Sequence, residues 1–73
     1  MEKIKISTEY ITLGQFLKFS GIISNGGEAK PFLQNCVILV NNEPENRRGK
    51  KLRPGDFVEI EAKKYQVIGE NEN

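Results

Sequence analysis

One stretch of the chain, RRGKKLRPGDFVEI from Arg47 to Ile60, restricts most strongly how it can fold. Five of the seven residues 47–53 are cationic and none is acidic. A turn and an apolar strand follow. Lysine and arginine are rarely buried without partners, so this segment must lie on the surface. Pro54 and Gly55 suit the two central positions of a type II turn. The sequence therefore predicts an exposed basic segment, residues 47–53, that ends in a fixed turn.

The residue types allow two interpretations of the basic segment. As a solvated edge, it would discourage association between sheet edges. As a binding surface, its guanidinium groups would make bidentate contacts to phosphate and its lysines would add point charge. The net charge is only +1 because residues 57–73 hold two basic and four acidic residues, which offset this local patch. Screening limits electrostatic reach to about 8 Å, so local charge matters more for binding than the total.

Length and composition indicate one small domain. Seventy-three residues support a single core, and a domain of this size buries only about 60% of the surface of its unfolded chain. We expect residues 1–68 to form the domain and residues 69–73, the acidic end GENEN, to be flexible. The chain has neither a run of about 18 apolar residues nor the apolar core of a signal peptide. We therefore expect a cytoplasmic monomer that does not enter membranes.

The residue types also argue against catalysis. The chain has no histidine and one cysteine, Cys36, so the usual zinc ligand sets and an internal disulfide are absent. It has no Ser-His or Cys-His arrangement and no P-loop. Cys36 has helical spacing from other apolar residues and is interpreted as a small core residue, not a nucleophile. We expect a non-catalytic protein that needs no cofactor and no metal.

The N-terminal half predicts a strand followed by a helix. EKIKIS alternates charged and apolar residues, which turns Ile4 and Ile6 inward. Thr12 and Gln15 have the spacing of a capping box, which places a first helix at about 13–20.

A second helix is predicted after the loop SNGG. Pro31 is tolerated only in a first turn, so the helix either starts late or has a distorted first turn. Asn35 is expected to end it in the left-handed conformation. The apolar stripe has i, i+3, i+4, i+7 spacing and consists of Ala29, Phe32, Leu33 and Cys36.

The C-terminal half predicts strands joined by tight turns. The strand VILV ends at Asn41 and Asn42, which turn the chain back toward the basic segment. The strand FVEIEA is predicted to place Val58, Ile60 and Ala62 on one face. Together the elements predict an α+β fold, in which two packed short helices lie against a small, mainly antiparallel sheet.

In this order, the parts resemble the RNA-binding domain of the ribosomal protein S4 type, also called the alpha-L motif. The most specific matches are GGEAK followed by FLQ, the turn VILVNNEPE and the stretch RRGKKLRPGD, and the resemblance covers residues 4–61. More closely, the chain is similar to the small stand-alone bacterial members of the YaaA type. It departs from the family at Asn25, where many relatives have Arg, and at Asn35 and Asn42, where Gly is usual.

The resemblance implies a partner and a site. Family members bind structured RNA with the second helix and the adjoining hairpin loop. The resemblance therefore implies that the partner is structured RNA, such as ribosomal RNA or the ribosome. It also implies a role in ribosome assembly. Double-stranded RNA presents phosphates and 2′-hydroxyls to a protein, so proteins recognise it mainly by its shape and charge. The RNA-binding residues implied are Ser24, Asn25, Gly26, Gly27, Lys30, Gln34, Arg47, Arg48, Lys50, Lys51 and Arg53.

The aromatic residues do not predict a stacking surface. Phe16, Phe32 and Phe57 are interpreted as core, and Tyr10 and Tyr65 as isolated rings. Without a row of aromatic side chains to stack unpaired bases, we expect structured RNA to be preferred over single strands, with weak sequence discrimination.

Two alternatives stay open. Ubiquitin-like modules, either sulfur carriers or the regulatory TGS type, end in a similar pattern, but they begin with a full hairpin, and sulfur carriers need a terminal Gly-Gly that is absent here. A protein-binding adaptor would use the same basic segment against an acidic partner.

Overall fold

A five-stranded sheet pairs the first and last strands of the described chain. The computed structural model describes residues 1–70, with β1 (Glu2–Ile6), β2 (Ile11–Thr12), α1 (Leu13–Phe19), a 3₁₀ turn (Gly26–Glu28), α2 (Ala29–Asn35), β3 (Ile38–Val40), β4 (Glu43–Pro44), β5 (Lys51–Leu52), β6 (Phe57–Ile60) and β7 (Lys63–Gly69). The sheet order is β1-β7-β6-β3-β4, and only β1 and β7 pair in parallel. A separate antiparallel pair joins β2 to β5. The predicted α+β fold with a mainly antiparallel sheet is confirmed.

The last strand, β7, was not predicted. Glu61 and Ala62 have φ angles of 49° and 68°, so they turn the chain. The prediction that Ala62 shares a strand face with Val58 and Ile60 was therefore wrong. β7 then runs between β6 and β1, and its last residue, Gly69, pairs with Ile6. Gly69 belongs to the segment predicted as a flexible tail, and residues 71–73 of that tail lie outside the described residues.

Both helices are short, and each begins where the sequence indicates. The Thr12 hydroxyl accepts from the Gln15 N–H at 3.2 Å and the Gln15 side chain accepts from the Thr12 N–H at 2.9 Å, which confirms the capping box of α1. Pro31 lies in the first turn of α2, after the 3₁₀ turn, so it removes no hydrogen bond that the helix needs. Within residues 1–70, no helix is long and apolar enough to cross a lipid bilayer.

Asn35 ends α2, but not in the predicted conformation. It is the last helical residue and has no positive φ, and its side-chain amide donates to the Pro31 carbonyl at 2.7 Å. The left-handed cap was therefore wrong. Cys36 follows in extended backbone and leads directly toward β3, so the chain needs no reversal at this point.

The core lies between α1 and the inner face of the sheet. Phe16 is fully buried, and its ring meets that of Tyr65 edge to face, with centroids 5.5 Å apart. Tyr65 is thus a core residue and not an isolated ring, because it pairs with the inward-facing Val58 across β6 and β7. Phe57, one residue from Val58, faces the other side of the sheet and is 43% exposed, so its assignment to the core was wrong.

The turn between β3 and β4 carries an additional clip. Asn41 and Asn42 have φ angles of 52° and 69°, as a type I′ hairpin turn requires. The Asn41 side chain accepts from the Phe57 N–H at 2.9 Å and donates to the Asp56 carboxylate at 3.2 Å. Asn41 therefore joins the hairpin to the start of β6, whereas Asn42 supplies only the turn conformation.

We predict that Asn41→Gly and Asn42→Gly differ in stability. Glycine adopts positive φ readily at both positions, but only Asn41→Gly removes two side-chain hydrogen bonds. Each such bond contributes about 0.5–1.5 kcal/mol, so Asn41→Gly should lower the free energy of unfolding by about 1–2 kcal/mol. Asn42→Gly should change it by no more than about 0.5 kcal/mol. Urea unfolding of both variants measures this, and equal losses would contradict the role given to Asn41.

Candidate nucleic-acid interface

Backbone hydrogen bonds hold the basic segment against the start of α1. The Leu13 N–H donates to the Lys50 carbonyl at 2.8 Å, and the Gly14 N–H donates to the Arg48 carbonyl at 2.9 Å. These are two of the N–H groups that a helix leaves without internal partners. Pairing of β2 with β5 continues the contact and buries Leu52 completely. The charged side chains therefore project from a backbone that is fixed to the core.

Four of the five cations converge on one open concavity. Its lining consists of Arg47, Gly49, Lys50, Lys51 and Arg53. A Cβ added at Gly49 would meet no atom within 4 Å, so this position leaves open space among the charges. Lys50 is half-buried and the other three cations are exposed. The concavity is therefore accessible and lined mainly by positive charge.

Arg48 lies on another side of the segment, toward the helices. A Cβ added at Gly14 would lie 3.6 Å from the Arg48 Cβ and 3.7 Å from the Ala29 Cβ. The basic segment and the first residue of α2 thus flank the same point on α1. Lys30 follows Ala29, and both Lys30 and Gln34 are exposed on α2. Two of the regions predicted to form the site, α2 and the basic segment, are therefore neighbours.

Arg47 is paired within the chain. Its Nε donates to Glu45 Oε2 at 2.9 Å and its Nη2 donates to Oε1 at 3.2 Å, while its backbone N–H donates to Oε2 at 3.1 Å. The Glu45 side chain is 11% exposed and that of Arg47 is 73% exposed. The hydrogen bonds from Arg47 lower the pKa of Glu45 to about 2. Glu45 therefore offsets part of the Arg47 charge. This pairing was not predicted from the sequence.

Tyr10 lies beside two of the cations. The Lys51 Nζ is 4.9 Å and the Arg53 Cζ is 5.8 Å from the centroid of the Tyr10 ring, within the range of cation–π interactions. Pairing of Ile11 with Leu52 brings Tyr10 alongside Arg53. The interpretation of Tyr10 as an isolated ring was therefore wrong, and the missing information was the pairing of β2 with β5.

The turn after the basic segment has the predicted form. Gly55 has a φ of 100°, and the Asp56 N–H donates to the Arg53 carbonyl at 3.0 Å, as in a type II turn. The Asp56 carboxylate also accepts from the Arg53 N–H at 2.8 Å. This turn fixes the end of the basic segment, as predicted for Pro54 and Gly55.

Comparison with known proteins identifies the family. Residues 4–68 match the S4 domain family. The chain belongs to this family. It is also 58% identical over 66 residues to a protein of Bacillus subtilis (strain 168) named probable ribosome maturation protein RlbA, and the alignment covers 89% of this chain and 93% of that protein. The predicted resemblance to small stand-alone S4 proteins is therefore confirmed.

The S4 domain match and the strand pairing argue against the ubiquitin-like alternative. The S4 domain match extends beyond residue 61, where the predicted resemblance ended, and includes most of β7. In this S4 domain β1 pairs with β7 and β2 pairs with β5. β1 and β2 therefore do not form the hairpin before the first helix that ubiquitin-like modules have.

The loop before α2 is closed by its own side chains. The Asn25 side chain accepts from the Gly27 N–H at 3.0 Å, and Glu28 Oε1 accepts from the N–H groups of Ser24 and Asn25 at 3.0 and 3.1 Å. This is a second capping box, and the spacing of Asn25 and Glu28 could have predicted it. The loop of this S4 domain thus uses these donors internally and carries a negative charge, while Ser24, Asn25, Gly26 and Gly27 remain exposed.

Cys36 does not line the concavity of the basic segment. It is half-buried, and its Sγ is 3.7 Å from Glu61 Oε1. Burial and the neighbouring Glu61 carboxylate raise the pKa of the Cys36 thiol. Since the thiolate is the nucleophilic form, these surroundings disfavour reactivity. Among residues 1–70, no group of three or more His, Cys, Asp or Glu side chains could hold a metal ion.

The Glu45–Arg47 pair predicts an acid-sensitive contribution to stability. The pKa of Glu45 falls from 4.5 to about 2 in the folded protein. A lowered carboxyl pKa stabilises the fold above the unfolded value, and this contribution is lost as the pH falls from about 4.5 to about 2. Glu45→Gln should be less stable than the native protein at pH 7 and should lose less stability over that range. Chemical unfolding at several pH values measures this.

The matched control is Glu43→Gln, which changes an exposed acid two residues away. This variant should keep the stability loss between pH 4.5 and 2. If Glu45→Gln and the native protein lose stability in parallel over that range, the pair does not stabilise the segment.

Proposed function

We propose that this protein is a non-catalytic, monomeric RNA-binding protein that takes part in ribosome maturation and recognises structured RNA, in particular ribosomal RNA. The observation that carries the proposal is the convergence of Arg47, Lys50, Lys51 and Arg53 on one open concavity with a fixed backbone. The membership of the S4 domain family and the name of the Bacillus subtilis relative support it.

The cationic groups in the concavity are better suited to bind phosphate than to bind an acidic protein surface. Arginine offers a planar fork for bidentate contact to phosphate, and lysine offers a compact charge with three donors. Both types line the concavity, with two lysines at positions 50 and 51 between arginines at 47 and 53. Since β5 and the type II turn fix the spacing of these groups, they favour a target with regularly spaced phosphates, as in helical RNA.

The five cations have different roles in this proposal. Lys50, Lys51 and Arg53 contact phosphates in the concavity. Arg47 contributes less, because Glu45 holds two of its guanidinium nitrogens. Arg48 extends the surface toward α2, where the exposed side chains of Lys30 and Gln34 form a second rim. The loop Ser24–Gly27 precedes this helix. The RNA backbone therefore crosses from the basic segment to α2.

The central prediction concerns salt dependence. If four cations contact phosphate, the slope of log K against log salt should be about −3 to −3.5, since each contact contributes roughly 0.7–0.9. Lys50→Ala with Lys51→Ala should weaken binding to a structured ribosomal RNA fragment and reduce the slope by about 1.5. Fluorescence anisotropy across a salt series measures both, with a matched single strand and a DNA duplex as competitors.

The matched control is Lys63→Ala with Lys64→Ala. It removes the same charge from exposed lysines that do not line the concavity, and it should leave the slope nearly unchanged. Equal effects of the two double variants would make the surface a general polyanion attractant. Equal weak binding to all three nucleic acids would favour the protein-binding adaptor instead.

A second prediction tests whether the loop before α2 faces RNA. Glu28→Gln keeps an oxygen that can accept from the Ser24 and Asn25 N–H groups but removes the negative charge. If phosphate lies near this loop, the variant should bind structured RNA about two- to fivefold more tightly, since one charge contact at a protein surface is worth on the order of 1 kcal/mol. The matched control Glu61→Gln makes the same change in the turn before β7 and should not tighten binding to structured RNA. Unchanged affinity of Glu28→Gln would exclude the loop from the interface.

A further inference from the structure

We propose that a second concavity, between the β1–β2 connection and α1, binds an unpaired nucleobase of the RNA held by the basic segment. The inference rests on the proposed function and adds a contact to a base, where the basic segment contacts phosphates. It departs from the expectation that the aromatic residues form no stacking surface, because the sequence did not reveal that two exposed aromatic rings line one cavity.

The cavity has the size and lining of a small-ligand site. Its volume is about 520 Å³, within the range of roughly 300–1,000 Å³ that ligand pockets occupy. Its walls are the residues from Lys5 to Thr12, together with Gln15 and Phe19 of α1. Two aromatic rings and several short polar side chains therefore line one opening, which suits a flat heterocycle with polar edges.

Phe19 provides the stacking surface. It is the last residue of α1 and is 64% exposed, whereas Leu13, Phe16 and Leu17 of the same helix are completely buried. The core therefore does not use this ring. Tyr10, which is 38% exposed, lines the same cavity. A base stacked on an aromatic side chain gains binding energy whatever its identity, because every base has a π-face.

Tyr10 connects the cavity to the basic segment. Its ring lies 4.9 Å from the Lys51 Nζ and 5.8 Å from the Arg53 Cζ, and both cations also line the phosphate-binding concavity. A phosphate held by Lys51 and Arg53 would thus place its nucleoside next to the Tyr10 side of the cavity. Lys5 adds a positive charge to the lining and Glu9 adds a negative one. Glu9 opposes a phosphate inside the cavity but can accept hydrogen bonds from the N–H groups of a base.

Polar groups in the lining suit the edge of a base. The Gln15 side-chain oxygen accepts from the Thr12 N–H at 2.9 Å, and the amide nitrogen of the same group is a donor. The Thr8 hydroxyl donates to the Tyr10 carbonyl at 2.8 Å, and its oxygen also has acceptor capacity. Ser7 contributes a further hydroxyl. The cavity therefore offers both donors and acceptors around its aromatic wall.

The test compares three forms of one RNA hairpin. The first carries a single bulged nucleotide, the second is fully paired, and the third carries an abasic site at the bulge. The native protein should bind the bulged form at least about fivefold more tightly than either other form, which is the lower end of a base–aromatic stack. Phe19→Ala should abolish this preference without weakening binding to the paired form, and Phe19→Tyr should retain it.

Two control variants separate the base site from phosphate binding. Lys50→Ala, which keeps Lys51 and Arg53 beside Tyr10, should weaken binding to all three hairpins while the preference for the bulge remains. Phe57→Ala removes an exposed ring from the other face of the sheet and should change neither property. Quenching of 2-aminopurine at the bulge on binding, lost with Phe19→Ala, reports the stack directly.

Two results would overturn the inference while leaving RNA binding intact. These are equal affinity of the native protein for the bulged and abasic hairpins, and a preference for the bulge that survives Phe19→Ala. Failure of the native protein to bind any of the three hairpins would overturn the proposed function and the base site together.

Discussion

Two backbone hydrogen bonds at the start of α1 connect the core of this domain to its charged surface. The first N–H groups of a helix need acceptors from outside the helix, and here the carbonyls of Arg48 and Lys50 supply two of them. The same helix carries Leu13, Phe16 and Leu17 into the core. The basic segment is therefore part of the support of α1 and not an appended loop. Because its carbonyls occupy these N–H groups, attraction for an anion must come from the cationic side chains and not from the helix terminus.

This arrangement places like charges close together at an unfavourable position. Five cations follow one another beside the end of a helix where the backbone dipole is positive, and the first turn of α1 contains no acid to compensate. Three features offset the repulsion: the backbone bonds to α1, the nearly buried Glu45 carboxylate on Arg47, and the Tyr10 ring beside Lys51 and Arg53. A polyanion on this surface would relieve the remaining repulsion, so binding and local stability should be linked.

The sequence predicted the features that depend on neighbouring residues. The capping box at Thr12, the turn at Asn41 and Asn42 and the turn at Pro54 and Gly55 each follow from local chemistry, and all three are present. β7 was missed because its signal is its pairing with β1, which lies about 60 residues away in the chain. Phe57 was misassigned since a hydrophobic residue on a strand can face either side, and the neighbouring pairs decide which.

The same distinction applies to the candidate site. The cationic residues themselves were predicted from their clustering and from the resemblance to the S4 domain. Their convergence on one concavity, the pairing of Arg47 and the contacts of Tyr10 depend on the register between β2 and β5 and on the fold of the segment between β4 and β5. None of these is visible in the order of residue types. Asn25 and Glu28 are the exception, because their spacing alone indicates the capping box that closes the loop before α2.

Phosphate contacts alone would attract any polyanion, so selectivity must come from the fixed positions of the groups around the charges. α1 provides that rigidity at both ends. Its first residues hold the backbone of the basic segment, and its last residue, Phe19, forms a wall of the second concavity. A helix of seven residues is only about 10 Å long, so the proposed phosphate-binding and base-binding surfaces would both be supported by one short element. In such an arrangement, the distance between the two surfaces can itself discriminate between RNA shapes. This selectivity does not depend on the total charge of the chain, which is only +1.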